Sequence, residues 1–327
     1  MVVALILQAG AVEVTAGATT PGNIMAAITY TTQLLNGIMG LTMLFQNISR
    51  GFASWKRVKE VICAEPQIKD GPFDGQTETH GKIEFRNVSF SYPGSEQVVL
   101  KNISFTIYPG ETVAIIGATG CGKSTLVNLI PRFYDVTEGS VLVDDVDVRE
   151  YNLRTLRKKI SVAMQKAELF HQTISQNIAW GKEDADCEVI RTAAQIAQAE
   201  EFINKTPDGY ETMVAERGAS LSGGQKQRVS IARSVVKQGE ILIFDDATSA
   251  LDLKTEANLY AALKQAHPGC TKIIVAQRIA SVRQANRIIV LENGAVAACG
   301  SHEELLSNCQ VYRDIYDSQM GKEDMHG

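Results

Sequence analysis

The sequence predicts an α/β domain with a glycine-loop site, preceded by an all-α segment, and three observations predict it. A glycine-rich stretch, Gly117 to Ser124, stands between a short apolar run and an apolar helix. Apolar strand-like runs alternate with helical stretches through the C-terminal half, the pattern of a layered sheet with helices on its faces. The first 49 residues carry a single charged side chain, Glu13, after which the composition turns polar.

Composition bounds the classes. The 327 residues, 45% hydrophobic and 21% charged, are those of a globular chain with room for one or two cores, which excludes disordered and fibrous classes. A net charge of -5 gives no general attraction to nucleic acid or anionic lipid, so any phosphate binding must come from a local site. Cys63, Cys121, Cys187, Cys270, Cys299 and Cys309 lack the spacing of zinc ligands or of a secreted disulfide framework, so a reducing cytosolic face is expected.

Met1 to Val14 is apolar but too short to span a bilayer and reads as the end of an earlier helix. A signal peptide is the competing reading, against which stands the missing basic n-region. Thr15 to Gly22, with Gly17, Pro21 and Gly22, reads as a tight loop. Ile24 to Ile48 holds no Asp, Glu, Lys, Arg or His over its 25 residues and predicts one transmembrane helix, with a buried soluble helix as the alternative. Its polar members, Thr31, Thr32, Gln33, Asn36, Gln46 and Asn47, suit a helix facing other helices or a substrate path. Arg50, Lys56, Arg57 and Lys59 then mark a cytoplasmic exit. Residues 1–64 are therefore expected to be a truncated membrane part. Residues 65–81, with Pro66, Gly71, Pro72, Gly75 and Gly81, are expected as a linker, 82–320 as a second domain and 321–327 as a tail.

Lys82 to Tyr92 and Val98 to Ile107 alternate like antiparallel strands. Thr112 to Ile116, Glu240 to Phe244, Thr271 to Val275 and Arg287 to Leu291 read as buried strands, and helices are expected over 186–202, 223–236 and 254–267. A ligand of such a sheet sits at the strand ends.

Gly117-Ala118-Thr119-Gly120-Cys121-Gly122-Lys123-Ser124 satisfies G-x-x-x-x-G-K-S in the required setting, after a strand and before a helix. Its glycines let successive N–H groups turn toward phosphate oxygens, Lys123 supplies a mobile cation, and Ser124 offers a hydroxyl to magnesium. Cys121 fills a free position of the loop, either as a small tolerated residue or as a thiol activated by the local positive potential. Ile241-Leu242-Ile243-Phe244-Asp245 ends a second apolar strand on a carboxylate, the expected partner of the magnesium.

Leu221-Ser222-Gly223-Gly224-Gln225, with Asp245 and Ser249-Ala250-Leu251-Asp252, resembles the signature, Walker B and D-loop of the ABC ATPases. The resemblance runs from Lys82 to about Asp317 and implies an α/β P-loop NTPase of ABC type: an antiparallel β subdomain, a mixed core and a helical signature subdomain. The helix before it resembles the last membrane helix of an ABC exporter half-transporter. Ser222, Gly223 and Gly224 precede the helix carrying Arg228 and Arg233 and so form a second anion-receiving helix start. The resemblance implies that Ser222 to Gln225 cap ATP held by an opposite subunit, that Gly117 to Ser124 and Thr125 bind ATP and Mg2+, and that Tyr92 stacks on adenine. It gives Gln165 a place beside the metal with Ser124 and Asp245. Glu216-Arg217-Gly218 resembles the exporter X-loop.

Two departures fall together. Where the family has a Glu that polarises the attacking water this chain has Asp246, a carboxylate retracted by about 1.5 Å. Where it has a switch histidine, in an A-H-R context, this chain has Gln277 within Ala276-Gln277-Arg278, which cannot be a cation. Both belong to the chain's own nucleotide site, whereas its signature is intact. The expected protein is thus an ATP-hydrolysing exporter subunit in a cell (inner) membrane, its nucleotide domain cytoplasmic. Its partners are expected to be membrane lipid, a transported substrate and a second half-transporter, with no nucleic acid. A heterodimer follows from one weakened and one intact half-site, and a homodimer with two slow sites is the alternative. A non-hydrolysing regulatory subunit and a soluble ABC ATPase are the two other readings.

Overall fold

The computed structural model describes residues 1–323 and divides into two units, one ending at Gln67 and the other beginning at Ile68. The expected tail falls outside the described residues apart from 321–323, which continue the last helix.

The first unit is a pair of helices, α1 (Val2–Thr15) and α2 (Pro21–Ile62). Pro21 at the first position presets the helical φ of α2, and nothing between Pro21 and Ile62 breaks it. No residue of either helix is buried. Among the described residues no helix is long and apolar enough to cross a membrane, so the spanning helix expected over 24–48 is not shown. The physical reason lies in the side chains that the absence of charge concealed: threonine, glutamine, asparagine and glycine dilute the apolar residues of α2. Thr29, Thr31, Thr32 and Thr42 donate back to the carbonyls of Met25, Ala27, Ile28 and Ile38, which satisfies the hydroxyls within the helix.

The second unit holds two sheets. An antiparallel sheet of order β2-β1-β4-β5 is made by β1 (Ile83–Ser91), β2 (Val98–Ile107), β4 (Glu138–Val143) and β5 (Val146–Asp147). The other sheet, of order β10-β9-β3-β8-β7-β6, comprises β3 (Thr112–Ile116), β6 (Ile160–Ala163), β7 (Ile241–Asp245), β8 (Thr271–Val275), β9 (Arg287–Glu292) and β10 (Ala295–Gly300). Its β9-β3-β8-β7-β6 pairs are parallel, and β10 joins β9 antiparallel. The central strands are buried on both faces, which is why they read as continuous apolar runs. Their alternate residues feed two cores. Val113, Ile115, Ile241 and Ile243 meet Phe85, Phe90 and Leu100 of the antiparallel sheet. Ala114, Ile116, Leu242 and Phe244 face a helical layer with Ile178, Ala194 and Ile231.

That layer includes α5 (Ile174–Ala179), α6 (Cys187–Ile196), α7 (Glu200–Ile203), α8 (Gly223–Val236) and α9 (Leu253–Ala266). The helix expected over 186–202 is two helices, because the chain turns through a left-handed conformation at Gln198 (φ 57°). The remaining helices are α3 (Lys123–Leu129), α4 (Leu153–Lys159), α10 (Ile279–Val282), α11 (His302–Asn308) and α12 (Gln310–Glu323). Part of the stretch expected as a linker is fastened along this unit: Gly71 and Phe73 donate to Tyr151 and Glu150, and Phe73 accepts from Asn152.

Candidate active site

Three strands of the parallel sheet, β3, β7 and β8, deliver the site residues at their C-terminal ends. The buried strand β3 leads straight into the glycine loop. A Cβ at Gly117 would stand 2.2 Å from the Leu291 carbonyl, so a side chain is excluded there. Gly122 takes φ 102° and turns the chain into α3. Lys123, 8% exposed, bends its ammonium back over the loop and donates to the Gly117 and Ala118 carbonyls at 2.8 and 2.9 Å. Cys121 is buried, its sulfur 3.9 Å from that ammonium. The left-handed turns at Gly120 and Gly122, with the helix start that follows, form the backbone concavity that suits an anion.

Ser124 donates to Asp245 Oδ1 at 2.8 Å across 121 positions of sequence. A hydroxyl and a carboxylate side by side are the hard oxygen donors that a magnesium ion takes, so these two residues fit that ion. Burial raises the Asp245 carboxyl above its ordinary value, and nearby Asp246 adds to this, against the pull of the Ser124 hydroxyl and Lys123.

Asp246 follows β7 in a left-handed conformation, φ 49°, while its N–H still donates to the Val275 carbonyl at 2.9 Å. Holding a residue other than glycine there costs about 1–2 kcal/mol, less for an aspartate. Its Oδ2 accepts from Gln165 Nε2 and from Gln277 Nε2, each at 3.0 Å. The two residues in which the sequence departs from the ABC pattern are therefore bonded to one another, and Gln165 completes the cluster. Burial raises the Asp246 carboxyl, partly offset by the two amides and then by Lys123 and Arg278.

Tyr92 is half-buried, its hydroxyl 2.8 Å from Thr125 Oγ1 and its ring edge-on to Phe90 and Tyr134. Sequence reasoning had no sign of Tyr134, whose place beside Tyr92 depends on how the chain after α3 returns to β1.

Ser222 caps α8 in a reciprocal box with Gln225: each backbone N–H donates to the other side chain, at 2.8 and 3.3 Å. Ser222 and Gly223 are exposed, and Gly224 lies against the Ala250 carbonyl, where a Cβ would come within 3.0 Å. Buried Gln227, which the sequence did not single out, receives the Ala250 N–H at 2.8 Å and donates to Ser249 Oγ at 3.0 Å. The arginines of α8 do not face its start. Arg228 donates to the Gln198 carbonyl over the Phe202 ring, and Arg233 bonds the Asn177 and Glu168 carbonyls, because both guanidiniums serve to close the helical layer. The second anion-receiving start thus rests on backbone and cap alone. Glu216–Gly218 forms a turn with Glu216 and Arg217 exposed, Gly218 buried and Arg217 left-handed at φ 54°. Among the described residues, no hydrogen bond joins Ser222–Gln225 to Gly117–Ser124.

The sequence pattern of the family described as ABC transporter matches residues 100–249, taking in the glycine loop, the signature and both aspartates. The chain belongs to the ABC transporter family. It is 43% identical over 320 residues to the uncharacterized ABC transporter ATP-binding protein YfiB of Bacillus subtilis (strain 168), which covers 98% of this chain and 55% of that protein. It is 39% identical over 300 residues to an ATP-dependent lipid A-core flippase of Chromohalobacter salexigens, 92% of this chain and 52% of that one. A solved bacterial Atm1-family ABC exporter with ATP bound superposes with a TM-score of 0.79 at 35% identity, over 92% of this chain and 53% of that chain. The chain spans about half the length of the curated relatives it matches. The α/β unit is thus the ATP-binding domain of an ABC transporter, and the fold expected for it from the motifs is the fold observed.

Proposed function

We propose that this chain is the ATP-binding and ATP-hydrolysing part of an ABC exporter, set in a membrane with its α/β unit on the cytoplasmic side. In this reading it works beside a second half-transporter. Its own glycine loop forms a slow nucleotide site, and its signature completes a competent one on the partner. The observation that carries this is the cluster at Asp246, where a carboxylate one methylene short of the family's glutamate is tied through one oxygen to two neutral amides.

The geometry supports a division of labour. Lys123 and the loop N–H groups bind the phosphates, and Tyr92 offers its ring to the base. Ser124 and Asp245 would hold magnesium, and Gln165 donates to the next residue, Asp246. When bound, the ion neutralises charge that builds up on the phosphates. Asp246 accepts the proton of the attacking water, and the amides of Gln165 and Gln277 fix its orientation. A glutamine at 277 supplies a hydrogen bond but no positive charge, so it stabilises developing negative charge less than a protonated histidine does. Binding then persists while turnover slows. Within the signature Ser222 to Gln225, Gly223 and Gly224 present their N–H groups to the partner's nucleotide between the two residues of the capping box. The relatives' names, an export protein and lipid flippases among them, support the transport role, as does the uncharged stretch 24–48 with its basic exit.

The test is ATPase activity of the full chain alone and mixed with a half-transporter that carries Glu and His at the corresponding positions. Slow turnover alone and faster turnover in the mixture are expected. Asp246→Glu with Gln277→His should raise turnover of the chain alone by about tenfold or more. Brisk hydrolysis by the unmodified chain, indifferent to both substitutions, would sink the proposal of a weakened site.

A further inference from the structure

Gln319, on the last helix α12, reaches the loop that carries Gln277 and bonds it on both sides. Its Nε2 donates to the Gln277 carbonyl at 2.7 Å, and its Oε1 accepts the Ile279 N–H at 2.8 Å. One amide thus spends its donor and its acceptor on closing the backbone across Arg278. Arg278 itself donates to the carbonyls of Ser249 and Leu251 at 2.9 and 3.1 Å. The loop after β8 is therefore gripped from α12 on one side and from the segment after Asp246 on the other. Gln319 also lines two cavities of about 530 Å³ each, one holding Asp246 and Gln277, the other flanking residues 118–121 of the glycine loop.

We propose that Gln319 is a positioning residue for ATP hydrolysis, acting through Gln277. By fixing the backbone on either side of Arg278 it sets the reach of the Gln277 amide to Asp246 Oδ2. The inference rests on the reading of Asp246 and Gln277 as part of the hydrolytic site. Its physical ground is that the Gln277 side chain has several free torsions, so its aim depends on where the backbone stands. A shift of about 1 Å in such a group costs up to about a hundredfold in rate.

A residue that merely docks α12 would lower the rate by the same factor whatever stands at 277, which makes a double-mutant cycle decisive. Single-turnover hydrolysis is measured with the full chain in excess over ATP, and affinity is measured separately with a non-hydrolysable ATP analogue. Gln319→Ala is expected to slow hydrolysis by about tenfold while analogue affinity stays within about twofold. In a Gln277→Ala background the same substitution should change the rate by less than about twofold. Gln319→Glu keeps the acceptor for Ile279 but sets a carboxylate against the Gln277 carbonyl. It should follow the same pattern and guards against loss of fold in the alanine variant. Equal losses in both backgrounds, or no loss in the unmodified one, would overturn the role of Gln319 and leave the reading of the site intact. An unmodified chain that binds the analogue yet never turns over ATP would overturn that reading and this inference together.

Discussion

Asp245 and Asp246 are two adjacent carboxylates, both 8% exposed, and their burial has a consequence for stability. Both are raised above the ordinary value, so the folded chain keeps their protons to a higher pH than the unfolded chain does. Stability from this source is present at the ordinary carboxylate pKa of about 3.9 and below, and is lost as pH rises through the raised values. Asp246→Asn keeps the shape and removes the charge. It should raise the melting temperature at pH 7 in magnesium-free, nucleotide-free buffer, by an amount that shrinks as pH falls toward 4, and it should abolish turnover. A lower melting temperature for the variant at pH 7 would show that the two amide bonds outweigh burial. The identity of these aspartates was legible in the sequence because the strand before them is continuous and apolar. Their bonding to Gln165 and Gln277 was not, since the partners stand 81 and 31 positions away.

At the scale of the element, α8 shows how a helix start can be exposed and still be fixed. The capping box satisfies the N–H groups of Ser222 and Gln225, and Gln227 fastens the second turn to the segment 249–250. Ser222→Ala should cost about 1 kcal/mol in chemical denaturation. In the proposed scheme it leaves ATP affinity of the isolated chain unchanged and lowers turnover of the mixed assembly, because the cap faces the partner's nucleotide. Gln227→Leu takes the side-chain acceptor from the Ala250 N–H and should cost about 0.5–1.5 kcal/mol, read from the denaturation midpoint. The box was visible as Ser-x-x-Gln in the sequence, whereas the inward turn of Arg228 and Arg233 was invisible there. Helical spacing places these two on a face, but only the packing of α5 and α7 says what lies opposite.

At the scale of the whole α/β unit, a buried ion cluster joins the two sheets. Asp144, in the turn between β4 and β5, accepts from Lys159 at 2.7 Å and from the N–H groups of Gly81 and Lys82 at 2.7 and 3.0 Å. Lys159 also reaches Glu240, just before β7, at 3.0 Å. Asp144→Ala takes one of two carboxylates from the buried Lys159 ammonium and the acceptor from the Gly81 and Lys82 N–H groups, and should cost about 1–3 kcal/mol, measured by urea denaturation of the full chain. Nothing in the sequence marked Asp144, because its partners come from two separate segments and each contact is long-range. The short strands β4, β6 and β10 went unread for a related reason: runs of four to six residues carry little periodicity of their own and are fixed by their neighbours. By itself the sequence determined the phosphate loop, the Asp245 strand end, the signature and the α/β class, because each is written in local spacing and a two-residue or helical period. Only the tertiary structure decided that Asp246, Gln165 and Gln277 form one cluster, that Gln319 grips the loop beside them, and that α2 is one continuous helix of mixed polarity. The physical reason is that hydrogen-bond partners and burial are set by where distant segments meet, which a local pattern does not encode.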